Sequence, residues 1–355
     1  MTVPASGRKR STITDVARRA GVSKATVSAV LNDTAQVRDA TRQRVLAAVE
    51  ELDYRPTVRS TATAAGAAAA RGNRSVALLI REGDNPFYGE VLAGVRAVAA
   101  PRGYTVLVAS SEGDYAAEQQ AVRLLHAKEV DGLLVYPVLD EHADLSHLFE
   151  MRRRNFPFVL LEGVRGLPAS LVDVDNRAAA RAATEHLISL GHRRLVHFAG
   201  PEYSLHTRER LDGVREACSA AHVRFGDEHV VPAGAHLDDG HRAALAFFRG
   251  SEPATRPTGV TCYNDLVAAG VMSALAELGL RVPRDVSVVG FDDIPIAGHL
   301  ATPLTTVHVP KYESGRLAAE LLLAQIESNA PAVPERRSLE ASLAIRASTA
   351  PPGTP

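Results

Sequence analysis

Two cysteines, Cys218 and Cys262, are all that the 355 residues contain, and they lie far apart. That scarcity excludes a disulfide framework and any zinc or redox site built on a CxxC spacing, and it fits a reducing compartment. Excess charge is missing as well. Lys and Arg number 40 against 41 Asp and Glu, net −1, so no whole-chain polyelectrolyte character points to a partner. No run approaches the ~18 strongly apolar residues of a membrane span, and the Ala, Thr and Gly stretch at 62–70 is too short and too weakly hydrophobic. Arg8, Lys9 and Arg10 precede a polar stretch rather than an apolar core, which does not read as a secretion signal. The expectation is a soluble, cytoplasmic protein with no membrane partner.

Catalytic signatures are also missing. The chain has no GxxxxGK[ST] phosphate loop, no GxSxG elbow, no HExxH, and no GxGxxG opening its α/β region. His236, Asp238, Asp239 and His241 form its one local cluster of metal-ligand types, but the HLDDGH context reads as a polar loop before a helix. Adjacent Asp292 and Asp293 point in different directions and make a poor acid pair. We therefore expect no enzyme, no metal and no cofactor. The alternatives are an α/β enzyme, or a solute-binding protein without DNA recognition, which would need export.

What is present divides into three zones. At roughly 150 residues per domain the length allows two to three domains, and 46% apolar residues suffice for their cores. Residues 1–56 form a helix-patterned head, 57–74 an Ala/Thr/Gly/Arg hinge or linker, and 75–355 an alternating remainder. Charge follows the zones: residues 1–60 hold eleven basic side chains against six acids, net +5, leaving −6 on the rest. In the third zone short apolar runs recur at VALLI (76–80), YTVLVA (104–109), VDGLLVY (130–136), FPFVLL (156–161), RLVHFAG (194–200), GVTCY (259–263), VSVVGF (286–291) and LTTVHV (304–309). They read as buried parallel strands. Helical spacing lies between them, as in Val91, Val95, Val98 and Ala99; Ala121, Leu124 and Leu125; and Ala180, Ala183, Leu187 and Leu190. The expected fold is multidomain. An all-α helix-turn-helix head precedes two doubly wound α/β lobes, with the chain passing between the lobes near 162, 291 and 325. Ligand chemistry is expected beyond the strands' carboxyl ends.

The head, TITDVARRAGVSKATVSAVLNDTAQVRDATRQRVLAAVEELDY, can be read residue by residue. Ile13, Val16, Ala17 and Ala20 share one helical face, with Thr12 as N-cap. Gly21 suits the left-handed residue that ends the helix, and Ser23 caps the next. In that second helix Val27, Val30 and Leu31 face inward, while Lys24, Ala25, Ser28 and Ala29 face away. Asp39 caps a third helix whose Val45, Leu46, Val49 and Leu52 close the core before Pro56. A plain helical bundle with a solvated basic face is the bland reading. The tight turn, the small outward face and the +5 charge favour a recognition helix lying in a major groove.

At this point AGVSKATVSAVLN, followed by TRQRVLAAVEELDYRP, resembles the head of the lactose/galactose repressor (LacI/GalR) family. The resemblance implies base reading by Lys24, Ala25 and Ala29, and phosphate contacts by Thr12, Ser23, Thr26, Ser28, Asn32 and Thr41. Ala29 offers only an apolar contact, such as one to a thymine methyl, so specificity leans on Lys24, DNA shape and the hinge. The family's minor-groove leucine wedge is missing: Thr63 holds its place, Gly66 and Gly72 weaken any helix, and Val58 and Arg59 are the remaining candidates there. A flexible linker and a hinge that folds on DNA both stand.

The resemblance continues through DNPFYGEVLAGV, HLISLGHRRLVHFAGP, RERLDGVREA, YNDLVAAGVMSALAELGLRVPRDVSVVGFDD and PLTTVHVP. It implies lobes similar to periplasmic sugar-binding proteins, with Asn85, Phe87, Glu162, Arg210, Asn264 and Asp292 as effector residues. Gly163 replaces the aromatic with which purine-binding members stack on a base, so a sugar or sugar derivative is expected. The function implied is a DNA-binding transcriptional regulator of the repressor type. Its partners are double-stranded DNA carrying a pseudo-palindromic operator, a small effector, and a second copy in a homodimer. No leucine-heptad tail precedes the ending ASTAPPGTP, which favours a dimer over a tetramer.

Overall fold

The computed structural model describes residues 12–32, 37–52, 73–127, 130–139, 144–202, 204–252, 254–328 and 333–353. The chain divides into two compact units, Met1–Ala70 and Arg71–Pro355. Val58, Arg59 and Thr63 lie outside the described residues, as do the side chains of Leu31, Asn32 and Asp39.

The first unit contains α1 (Ile13–Ala20), α2 (Lys24–Asn32) and α3 (Asp39–Glu51). Its core is made of small and β-branched side chains: Val16, Ala17, Ala20, Val27, Val30, Val45 and Ala48. Two expectations need correction. Leu46 is 49% exposed, and Ala48 takes its place in the core, because the α3 stripe that faces α1 and α2 runs through 45, 48, 49 and 52. Asp39 is inside α3, whose first turn closes on the carbonyl of Arg38.

In the second unit β1 (Ser75–Ile80), α4 (Phe87–Ala99), β2 (Thr105–Ser110), α5 (Tyr115–Ala127), β3 (Gly132–Val135), α6 (Ser146–Arg153), β4 (Phe158–Leu160) and β5 (Ser170–Val174) build the first lobe. The chain continues through α7 (Asn176–Ser189), β6 (Leu195–Ala199), α8 (Leu205–Ala220), β7 (Val230–Pro232), α9 (Leu237–Phe248), β8 (Gly259–Cys262), α10 (Asp265–Glu277), β9 (Ser287–Asp292) and β10 (Thr305–His308) in the second. Finally α11 (Lys311–Glu327) and β11 (Arg336–Leu339) return to the first lobe, and β12 (Ser342–Ala344) ends in the second.

Among the described residues the strands form two six-stranded sheets, ordered β11-β5-β4-β3-β1-β2 and β12-β10-β9-β8-β6-β7. Every pairing is parallel except that of β12 with β10. Helices on both faces explain the unbroken apolar runs. In β1, Val76, Leu78 and Ile80 enter one core while Ala77 and Leu79 enter the core behind.

The chain passes between the sheets after β5, after β10 and after β11, not near 162, 291 and 325. The polar Asp173 interrupts β5, so its sequence does not read as an apolar run. Residue 291 lies inside β9, and 325 lies within the continuous 17-residue α11. The short β7, β11 and β12 likewise lack an apolar run. YTVLVA is an edge strand, not a buried one: Leu107 and Val108 are exposed. Leu124 of α5 is exposed too, and Glu118, Val122 and Leu125 are its buried face.

The helix pair α4 and α11 is packed at backbone distance. A Cβ on Gly94 would sit 2.0 Å from the Tyr312 carbonyl oxygen and 2.8 Å from the Arg316 nitrogen. Gly94→Ala must push the helices apart, and we expect it to lower stability by ~3 kcal/mol, seen as a lower urea midpoint. An unchanged midpoint would show that the pair can yield.

Candidate functional site

In the first unit the local sequence sets the geometry of the head. The Thr12 N–H and hydroxyl both donate to the Asp15 carboxylate, at 2.9 and 2.6 Å, holding the start of α1. Gly21 adopts φ +63°, and the N–H groups of Gly21 and Val22 close on Arg18 and Ala17, a left-handed helix stop that glycine makes without a Cβ penalty. Ser23 Oγ then accepts the Thr26 N–H at 3.1 Å, starting α2 one turn later. Lys24 and Ala25 are exposed, and Ser28, Ala29 and Thr41 half-buried. None of these five side chains belongs to the head's core. Ser23 and Thr26 also bond each other, at 2.8 Å.

In the second unit the carboxyl ends of the strands converge. Arg81 and Glu82 follow β1, Tyr136 follows β3, and Glu162 follows β4. From the other lobe come His206 and Arg210 on α8, Tyr263 after β8, and Asp292 ending β9. Two buried arginine–carboxylate pairs organise these groups. Arg81 bonds Glu162, with side chains only 5% and 1% exposed, and its guanidinium lies 5.9 Å from the Tyr136 ring. Arg210 reaches Asp292 at 3.4 Å, Asn176 at 3.0 Å and the Tyr263 carbonyl at 2.5 Å, with the Phe291 ring 3.6 Å from its guanidinium carbon. Glu162 joins the lobes, because it also accepts the His206 N–H at 3.3 Å. Phe87 joins them too, packing against cores on both sides.

Protonation follows from burial. Removal from water pushes the Asp292 carboxyl up to about 6, against the pull of Arg210 and Lys311. Burial, then the cations of Arg81 and Arg210, holds the His206 imidazole well below its usual value. Beside these groups lies a cavity of about 310 Å³ whose walls include Glu162, Asp173, Asn176, His206, Glu209 and Arg336. Burial and the nearby Glu162 charge push Glu209 up to about 7 from 4.5.

A carboxyl raised in the folded state favours folding below its unfolded pKa. That contribution is lost as pH rises from about 4.5 through about 7. Glu209→Gln is therefore expected to raise the melting temperature at pH 8 relative to pH 5. A parental pH slope in the variant would remove Glu209 as its source.

Of the six effector residues expected from the sequence, Phe87, Glu162, Arg210 and Asp292 come together at the cleft. Asn85 shapes the turn before α4: its oxygen accepts the Phe87 N–H at 3.0 Å and its amide donates to Glu82 at 3.3 Å. Asn264 is the N-cap of α10, accepting from Val267 N–H at 2.8 Å and donating to the Ala235 carbonyl at 2.9 Å. Arg81, Tyr136, Asn176, His206 and Tyr263, not expected from the sequence, stand beside these groups. Arg81 directly follows VALLI, so the strand-end rule that pointed to Glu162 and Asp292 applies to it equally. Among the described residues no group of three or more His, Cys, Asp or Glu is placed to hold a metal ion, and no helix is long and apolar enough to cross a membrane.

A helix-turn-helix head followed by two α/β lobes with a polar cleft between them defines a DNA-binding regulator. Residues 12–57 match the bacterial regulatory proteins of the lacI family, and 184–349 match the periplasmic binding protein-like domain. The chain is 34% identical over 327 residues to the HTH-type transcriptional repressor PurR of Vibrio vulnificus, covering 89% of this chain and 92% of that protein. To PurR of Aliivibrio fischeri strain ES114 it is 35% identical over 318 residues, with the same coverage. Among solved structures it is similar to a CelR–cellobiose complex, with TM-score 0.70, 32% identity, and 96% of this chain and 100% of that one covered. The lac repressor dimer bound to operator and the anti-inducer ONPF gives 0.68, 28% and the same coverage. The chain belongs to the LacI family and is a transcriptional regulator of the repressor type, not an enzyme.

Proposed function

We propose that this regulator's affinity for its operator is controlled by a neutral sugar or sugar derivative bound between the lobes. One observation carries this reading: each buried cleft arginine already has a carboxylate, Arg81 with Glu162 and Arg210 with Asp292. A charge-balanced set of donors and acceptors suits the paired hydroxyls of an uncharged ligand. An anionic ligand would have to displace one of those carboxylates and approach Asp173, Glu162 and Glu209 on the cavity wall. The half-buried Gly163 supplies no ring to stack on a purine. The similarity to the cellobiose complex supports the same class.

Phe87, Glu162, Arg210 and Asp292 are the effector residues of this reading, joined by Arg81, His206 and Asn176. Asn85 and Asn264 shape the site from behind. Lys24, Ala25 and Ala29 read bases, and Thr12, Ser23, Thr26, Ser28, Asn32 and Thr41 grip phosphates. Val58 and Arg59 approach the minor groove. Two copies bind a pseudo-palindrome as a homodimer, for which Leu107 and Val108 on the exposed edge strand are available apolar surface. Such a protein works in the cytoplasm, where its DNA is.

The test is affinity for DNA from the regulator's own upstream region, at fixed salt, with cellobiose, ribose, a hexose phosphate or guanine added. A shift of about 5- to 150-fold with a neutral sugar is expected. A response to guanine or the hexose phosphate alone would overturn the ligand class, and no response to any compound would overturn effector control by these classes.

A further inference from the structure

Lys311 is the first residue of α11, where the chain leaves the second sheet for the first. Its side chain is 0% exposed, a costly place for an ammonium group. Burial disfavours the charge, and the N-terminus of a 17-residue helix is the positive end of its dipole. The offset is full satisfaction of the donors. Nζ donates to the carbonyls of Asp292 at 2.7 Å, Asp293 at 2.9 Å and Val309 at 3.3 Å. Glu90 of α4 lies 3.5 Å away.

The first two of these carbonyls belong to residues with φ of 107° and 56°. Side chains with a Cβ rarely adopt such backbone, which persists only where its surroundings hold it. Asp265 holds this lip through the Ile294 N–H at 2.8 Å and the Thr306 hydroxyl. Arg346 and His308 hold the Asp293 carboxylate at 2.6 and 2.9 Å. Those three groups belong to the second lobe. Lys311 belongs to the helix that packs on β3, β4, β5 and α4, with Ala318, Ala319, Leu322 and Leu323 in the first lobe's core.

We propose that Lys311 is the positioning residue that couples occupancy of the cleft to the α4–α11 pair. It keeps Asp292 turned toward Arg210 and passes any displacement of that residue to the helices of the other lobe. A ligand that takes up the Asp292 carboxylate shifts a backbone whose carbonyl is one of three points fixing the ammonium. This inference rests on the effector reading above.

The test uses the full chain carrying Lys311→Met, which keeps the stem's bulk without the donors. Lys311→Arg is the second variant: it keeps a cation but carries a planar fork in place of a compact head. In the ligand-free protein, amides at 290–294 should exchange about tenfold faster in K311M while those of β8 do not change. Affinity for the upstream DNA without ligand should stay within about threefold, and the shift produced by cellobiose, or by whichever panel compound acts on the parent, should fall at least ~5-fold. A general structural defect would instead lower ligand-free DNA affinity and speed exchange throughout the lobe, which overturns the proposal. So does a folded K311M with parental exchange at 290–294 or a parental effector shift. If K311M does not fold, K311R is read by the same criteria. If no compound shifts the parent's DNA affinity, the effector reading has failed, and the exchange result alone upholds or overturns the tie between Lys311 and the lip.

Discussion

Arg210→Ala is expected to abolish the effector response, with DNA affinity changing less than about twofold across the ligand panel, and to lower stability by ~3 kcal/mol. Arg210 is 5% exposed and meets four partners: Asn176, the Tyr263 carbonyl, Asp292 and the face of Phe291. Truncation leaves the Asp292 carboxylate buried with its principal cation removed, and the Tyr263 carbonyl without that donor. The remaining cation, Lys311, bonds the Asp292 carbonyl rather than its carboxylate. The head is a separate compact unit, so ligand-free operator binding should persist at temperatures where the second unit stays folded. Denaturant unfolding and the DNA titration measure the two effects separately. A variant that keeps both its midpoint and its response would remove Arg210 from the site.

Lys24→Ala should have the largest effect on DNA recognition. Lys24 opens α2, is exposed, and is the one charged group among the three positions proposed to read bases. A good base contact discriminates by about 1–3 kcal/mol, so the ratio of operator to random-sequence affinity should drop roughly 5- to 150-fold. If Lys24 instead meets a phosphate, affinity for both DNAs falls together and the salt slope drops by about one. Binding to both sequences at several salt concentrations distinguishes these outcomes. Unchanged discrimination with an unchanged slope would take Lys24 out of the interface.

The head was the most legible part of the chain because its determinants are local. A cap, a glycine stop and a second cap occur within twelve residues of Thr12, and each acts on backbone groups three to five positions away. Leu46 departs from the expected core because period alone does not say which side of an amphipathic stripe the other two helices cover. Of the residues expected to meet an effector, Glu162, Arg210 and Asp292 lie at the cleft, at positions that strand ends and motif context pick out. Asn264 carries the same signals, yet its oxygen caps α10 and its amide N–H donates to the Ala235 carbonyl. The sequence pattern is identical for an asparagine that caps a helix and one that meets a ligand.

By itself the sequence determined the class of protein: the head, the alternation of strand and helix, and the strand ends where chemistry collects. These follow from capping, periodicity and burial within short windows. Only the tertiary structure decided the pairings: Arg81 with Glu162 across 81 residues, Arg210 with Asp292 across 82, and Lys311 with the lip at Asp292. It alone decided the three passages between the lobes as well, since β5 pairs with the distant β11, Leu171 opposite Arg336. Charge neutralisation inside a cleft depends on which strand ends come to lie side by side. That is a property of sheet order, which no local window of the chain contains.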